Sequence, residues 1–212
     1  YIGVGGQAVG YPTFMSGEGK GRIYRTSDGV HFEPISEILG SGIQTLYVKA
    51  RKISKDGKQE KWAVIFQGAK GVSFVMDRYK MNMAFRFMWE IPKSQIKITV
   101  TDETTEEKVV NAVSWLGDNA DGDDIAIFYY TGHGWNGGFG EVGYKKLAEW
   151  MDYLIDAEHT IVILDTCHSG SAIPRLRKPK RWILCACAAD QTVLGVPIPI
   201  VGGGIFTHWL AD

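Results

Sequence analysis

The chain has 212 residues, 45% of them hydrophobic and 22% charged, a balance that supports a packed core and excludes a disordered segment. Lys and Arg number 23 against 24 Asp and Glu, a formal net charge of -1, which excludes the strongly basic surface of a nucleic-acid binder. No apolar run approaches the ~18 residues that span a bilayer, and three cysteines are too few for a disulfide scaffold.

Residue 1 is Tyr, as expected of a processed or trimmed chain, so the lack of a signal peptide is silent on compartment. Residues 1–20 are rich in Gly but lack the strand–GxGxxG–helix setting of a phosphate loop. Asp28-Gly29 lies between alternating stretches and predicts a two-residue hairpin. "TLYVKARKIS" (45–54) predicts a further strand, and Asp56-Gly57 a turn. Residues 1–60 are therefore expected to form a β-rich N-terminal extension, ahead of a domain over 61–212.

From Trp62 the pattern alternates strand and helix. "WAVIFQG" (62–68) reads as a strand buried on both faces. A helix is predicted at about 76–89, with Met81, Ala84, Phe85 and Met88 forming one apolar stripe. "IKITV" (96–100) is a strand. Thr104 with Glu107 predicts a capping box for a helix whose apolar face is Val109, Val113 and Leu116. "DDIAIFYYTGHG" (123–134) is a strand ending in a Gly-rich turn, and a helix at about 144–155 precedes a strand at 160–164. "RWILCACA" (181–188) is a further strand, and "GIFTHWLAD" starts a helix. The fold class this implies is α/β, a mostly parallel sheet with helices on both faces.

In such sheets ligands bind at the carboxyl ends of the strands. "YYTGHG" and "LDTCHSG" both lie there, on strands consecutive in sequence, so His133 and Cys167 should converge. Cys167 is the candidate nucleophile and His133 the acid/base, because it reaches in from the neighbouring strand. His168 directly follows Cys167, so its side chain should point elsewhere. Gly134 leaves its N–H uncovered; with the Cys167 N–H it can stabilise an oxyanion. A metal site of Cys167, His133 and His168 is the rival reading, but a further ligand at suitable spacing is lacking, so neither metal nor cofactor is expected. Cys185 and Cys187, two apart on a strand, face one side and read as small buried hydrophobes.

"FYYTGHG" and "VILDTCHSG" resemble the His and Cys motifs of metacaspases and their prokaryotic caspase-like relatives, within the larger group that includes caspases, legumains and clostripain. "CAADQT" and "GGGIFTHWL" look like that family's downstream element. The resemblance covers about residues 62–212. It implies a caspase-like fold and peptide-bond hydrolysis by a Cys–His dyad, with His133 as the histidine, Cys167 as the nucleophile, and Gly134 with Cys167 as the oxyanion hole. It places Asp165 and Asp190 at the S1 pocket, which would select Arg or Lys at P1 by charge-assisted pairing. The first loop departs from the metacaspase pattern and offers Asp77 and Arg78, of opposite sign. Arg78 would suit a legumain-like pocket for Asn or Asp, and "WAVIFQGAKG" looks somewhat like the legumain first strand. "SAIPRLRKPKR" (171–181) carries no acid, so calcium activation through that segment is not expected. The expected partner is a peptide or protein substrate, with no nucleic acid or membrane. The alternative to an enzyme is a catalytically silent caspase-like interaction module. Residues 175–181 hold five basic residues around Leu176 with Pro179, and are expected to form an exposed loop that the enzyme itself cuts.

Overall fold

The apolar run near Trp62 forms β3 (Lys61–Gln67), in which Ala63, Val64, Ile65 and Phe66 are all fully buried. Burial on both faces is what permits so continuous an apolar sequence. The computed structural model describes residues 56–193 and 203–211, with the backbone alone of strands at 22–25, 33–37 and 195–196. The chain divides into two compact units, residues 1–51 and 52–212. In the first, β1 (Arg22–Arg25) and β2 (Glu33–Glu37) pair antiparallel, with Arg25 opposite Glu33. The turn expected at Asp28-Gly29 and the strand expected at 45–54 lie outside the described residues.

The second unit is built on a five-stranded sheet. Its other strands are β4 (Ile96–Val100), β5 (Ile125–Thr131), β9 (His159–Asp165) and β10 (Arg181–Cys185). The order is β10-β9-β5-β3-β4 and every pairing is parallel. Between β5 and β9 a small antiparallel meander, β6 (Gly134–Trp135), β7 (Gly138–Phe139) and β8 (Val142–Gly143), leads into a helix. The two-residue period of the strands then sorts the core into two layers. Val64, Phe66, Phe128, Tyr130, Val162 and Leu164 face α2 (Glu106–Asn119) and α3 (Tyr144–Leu154). Ala63, Ile65, Ile127, Tyr129 and Ile163 face α1 (Val72–Phe87) and α5 (Ile205–Ala211). Each fully enclosed Val, Leu or Phe contributes about 1.5–3 kcal/mol.

Two helix starts differ from the sequence expectation. Helix α1 begins at Val72, not near 76, and buries Asp77, Met81, Ala84 and Phe85. Met88, expected on that stripe, is 55% exposed, because the helix stops at Phe87 and Glu90 turns the chain with φ 54°. The cap of α2 is Thr105, whose side chain accepts from the Lys108 N–H at 3.4 Å. Thr104 is buried instead and donates to the Gly68 carbonyl at 2.8 Å, tying the end of β3 to the start of α2. With the cap one residue later, Glu107 no longer occupies the third helical position. Glu106 and Glu107 still favour the helix N-terminus through its dipole.

The basic segment also differs. Residues Ile173–Leu176 form a short helix, α4, with Leu176 buried. Beyond it the loop is exposed at 177–180 but held down by ion pairs. Asp152 takes Lys178 at 3.1 Å and Arg181 at 2.7 Å, and Glu158 takes Lys180 at 3.1 Å. The Arg181 side chain is only 5% exposed, so its pairing is the best shielded of the three. Close to the C-terminal helix, β11 (Gly195–Val196) pairs antiparallel with β12 (Gly203–Gly204). Among the described residues, no helix is long and apolar enough to cross a membrane.

Candidate active site

In the ladder between β5 and β9, Thr131 stands opposite Asp165, each the last residue of its strand. The chain therefore leaves the sheet at one level on two adjacent strands. His133 follows two residues after the first exit and Cys167 two residues after the second. The two loops touch through Gly134. A Cβ there would lie 2.6 Å from the Cys167 carbonyl oxygen and would overlap the Thr166 hydroxyl. Only glycine allows this approach. His133 is exposed and Cys167 half-buried, so both are open to a substrate. The Val193 N–H donates to the Cys167 Sγ at 3.4 Å, a suitable partner for negative charge on sulfur.

His168 takes a left-handed backbone conformation, φ 58° and ψ 20°. Its N–H donates to the Gln191 carbonyl at 2.8 Å. Its Nδ1 lies 2.9 Å from the Ala189 carbonyl oxygen, which makes Nδ1 the protonated nitrogen. The ring is thus tied to the 189–191 segment. Beneath the same loop, Cys185 Sγ lies 3.2 Å from the Ser169 carbonyl oxygen and Cys187 Sγ 3.7 Å from the Ser169 Oγ. Both sulfurs meet one residue, and burial pushes the Cys185 thiol up to about 11.

The strand period carries Thr131 and Asp165 onto the same face as Tyr129 and Ile163, toward α1 and α5. Asp165 is buried there and accepts from Thr207 twice, from Oγ1 at 2.5 Å and from the N–H at 3.3 Å. Thr207 Oγ1 also lies 2.6 Å from the Tyr129 hydroxyl. Asp77, equally buried, accepts from the Gly204 N–H at 2.5 Å and from Thr131 Oγ1 at 3.0 Å. Glycine at 204 matters, since a Cβ there would lie 2.9 Å from Asp165 Oδ1. Burial pushes the Asp165 carboxyl above its ordinary range, against the Thr207 hydrogen bonds. Burial, and next the charge of Asp165, push Asp77 up to about 7. Two enclosed carboxylates thus lie close together beneath the strand ends, each costly to ionise.

Asp190 lies elsewhere. It is exposed, in the segment whose flanking carbonyls hold His168, and its side chain has no hydrogen-bond partner among the described residues. Asp165 therefore sits beneath the strand ends and Asp190 on the surface beside the Cys167 loop. Sequence reasoning named Asp77 only as one of two opposed charges, and it missed Thr207. A signal for Asp77 was present: it stands four residues before Met81, on the stripe the helix buries. Arg78, the next residue, is about 100° around the helix and half-exposed. Among the described residues, the acidic and thiol side chains close enough together to share a metal are Asp56, Asp121 and Asp123, near the opposite end of β5 from Cys167. Cys167, His133 and His168 form no such group.

A family model described as the caspase domain matches residues 72–210. Among solved structures, the fold is similar to that of caspase-1 from Spodoptera frugiperda, with a TM-score of 0.54 at 13% sequence identity, over 78% of this chain and 74% of that one. At that identity the likeness is one of fold. No curated protein matches the sequence.

Proposed function

The chain belongs to the caspase-domain family, and on that premise we propose that it is a cysteine endopeptidase that cuts after Arg or Lys with Cys167 and His133. The observation that carries this reading is the register of Thr131 against Asp165, which releases both loops from the sheet side by side. In this reaction the Cys167 sulfur attacks the scissile carbonyl carbon while its proton passes to His133. The carbonyl oxygen gains negative charge opposite the N–H groups of Gly134 and Cys167. His133 then protonates the departing amine, the C–N bond breaks, and an acyl-enzyme remains on sulfur. Water, deprotonated by His133, releases the acid and restores the thiol.

The specificity follows from the buried carboxylates. Burial raises the cost of ionising both Asp77 and Asp165, the charge of Asp165 adds to that of Asp77, and a guanidinium or ammonium group brought beside them offsets that cost. Arg can meet a carboxylate through two parallel hydrogen bonds, Lys through one point charge. Asp190, on the surface beside the nucleophile loop, adds attraction at the entrance. A legumain-like preference for Asn or Asp would need a cation in the pocket. Arg78 is the nearest in sequence, and it does not share the buried face of Asp77. The same preference makes the basic segment a substrate. Arg175 and Arg177 are exposed and lack an ion-pair partner among the described residues, whereas Lys178, Lys180 and Arg181 are paired.

The experiment is a positional peptide library digested by the wild type and by Cys167→Ala. Cleavage after Arg and Lys by the wild type alone is expected. Cleavage led by Asn or Asp favours the legumain-like alternative. No cleavage by a folded wild type favours a silent interaction module.

A further inference from the structure

A catalytic histidine works only in one orientation, and in most Cys–His and Ser–His sites a third polar group sets it by hydrogen bonding to the second ring nitrogen. His133 departs from that arrangement. Its backbone carbonyl is fixed, accepting from the Tyr130 hydroxyl at 3.1 Å. Its exposed imidazole has no hydrogen-bond partner among the described residues. What it has is a ring contact. Phe74, half-buried in the first turn of α1, meets His133 with centroids 5.2 Å apart and planes at 81°, an edge-to-face pair. Such pairs favour one relative orientation because the positive edge of one ring meets the negative face of the other.

Phe74 is itself well anchored. It lies one turn before Asp77, whose hydrogen bonds to Thr131 and Gly204 fasten this part of α1 to the strand ends. Helix α1 thus supplies, three residues apart on one side, a carboxylate for the pocket and an aromatic ring for the histidine.

We propose that Phe74 is a positioning residue for His133, its ring taking the place of the hydrogen-bonding third member and holding the imidazole where it serves Cys167. This rests on the Cys167–His133 dyad proposed above. The aromatic contact contributes orientation and no proton transfer, so its loss should slow the reaction without weakening substrate binding.

The test uses the full chain and two readouts. The first is the rate at which iodoacetamide alkylates Cys167, followed at that residue by mass spectrometry, since Cys185 and Cys187 are also thiols. This small probe needs no peptide subsite. The second is kcat and KM on an Arg-P1 peptide. Phe74→Leu should slow alkylation at neutral pH, and lower kcat, by about two- to tenfold, with KM within twofold of wild type. Phe74→Tyr, which keeps the ring, should restore both. Phe74→Leu added to His133→Ala should change alkylation no further, because the group it positions is gone. If Phe74→Leu does not fold, Phe74→Met carries the same comparison. The proposal is overturned if the ring-less variant matches wild type, if its loss is all in KM, or if it slows alkylation equally with Ala at 133. A wild type that alkylates through His133 yet cuts no peptide refutes the peptidase reading alone and leaves the Phe74 comparison decisive.

Discussion

Asp77→Asn should remove most of the pH dependence of stability between pH 5 and pH 8. Asp77 is an acid whose folded pKa is raised, to about 7 from an ordinary 3.8, chiefly by burial and next by Asp165. Between those values the folded chain holds a proton that the unfolded chain has released. Its stabilising contribution is complete below the ordinary carboxylate range and is lost as pH rises through about 7. From pH 5 to pH 8 the proton is retained only by the folded state over about two pH units, at ~1.4 kcal/mol each, or roughly 2–3 kcal/mol in all. For a unit of this size that corresponds to about 5–10 °C in Tm. Asn cannot ionise, can still accept from the Gly204 N–H, and presents an amide to Asp165 in place of a second carboxylate. The assay is urea unfolding at pH 5, 6, 7 and 8, comparing midpoints at a common m value. Both proteins should carry Cys167→Ala so that self-cleavage does not intrude. The wild-type midpoint should fall across the series by an amount the Asn variant lacks. Parallel profiles would refute the claim that Asp77 is the group buried at a cost. In active protein the same change should lower kcat/KM for Arg substrates by roughly ten- to a hundredfold, the loss of one charged hydrogen bond.

Gly134→Ala forces the His loop away from the Cys167 carbonyl, 2.6 Å from the new Cβ; kcat should fall about a hundredfold, as for other ~1 Å misplacements, and unchanged kcat would refute the tight approach. Asp190→Ala should lower kcat/KM for Arg peptides modestly and chiefly at low ionic strength, as expected of an exposed charge at the entrance, and a loss of roughly one to two powers of ten that persists at high salt would show instead that it pairs directly with P1. Incubated alone, active protein should nick within 175–181 while Cys167→Ala does not, with fragment masses placing the cut after Arg175 or Arg177; an active enzyme that never cuts there sinks this reading.

The sheet was legible in the sequence because its three central strands are buried on both faces and leave uninterrupted apolar runs, as in Ala63–Phe66 and Val162–Leu164. The meeting of the His133 and Cys167 loops was legible for the same reason, since parallel neighbours end at one edge. The cap of α2 was not. Thr104 and Thr105 are equally good caps by type, and the choice was made by the Gly68 carbonyl, 36 residues away in sequence, which takes the Thr104 hydroxyl. The basic segment read as a free loop because Asp152 and Glu158, which hold it, lie on the preceding helix and the turn after it. Asp77 reads as a charge in the first turn of a helix expected to begin at 76, and the role of Thr207 rests on Asp165 and Tyr129, 42 and 78 residues away in sequence. Phe74 counts as one more apolar residue until the His133 ring is placed against it.

The Cys167–His133 dyad is tested most directly by labelling with an irreversible peptide electrophile with Arg at P1, followed by mapping of the modified residue. One adduct is expected, on Cys167, formed slowly or not at all in His133→Ala and at near wild-type rate in His168→Ala. The same electrophile with Asp at P1 should react far more slowly. An adduct on Cys185 or Cys187 in place of Cys167, or equal loss of labelling in a folded His168→Ala protein, would contradict the dyad.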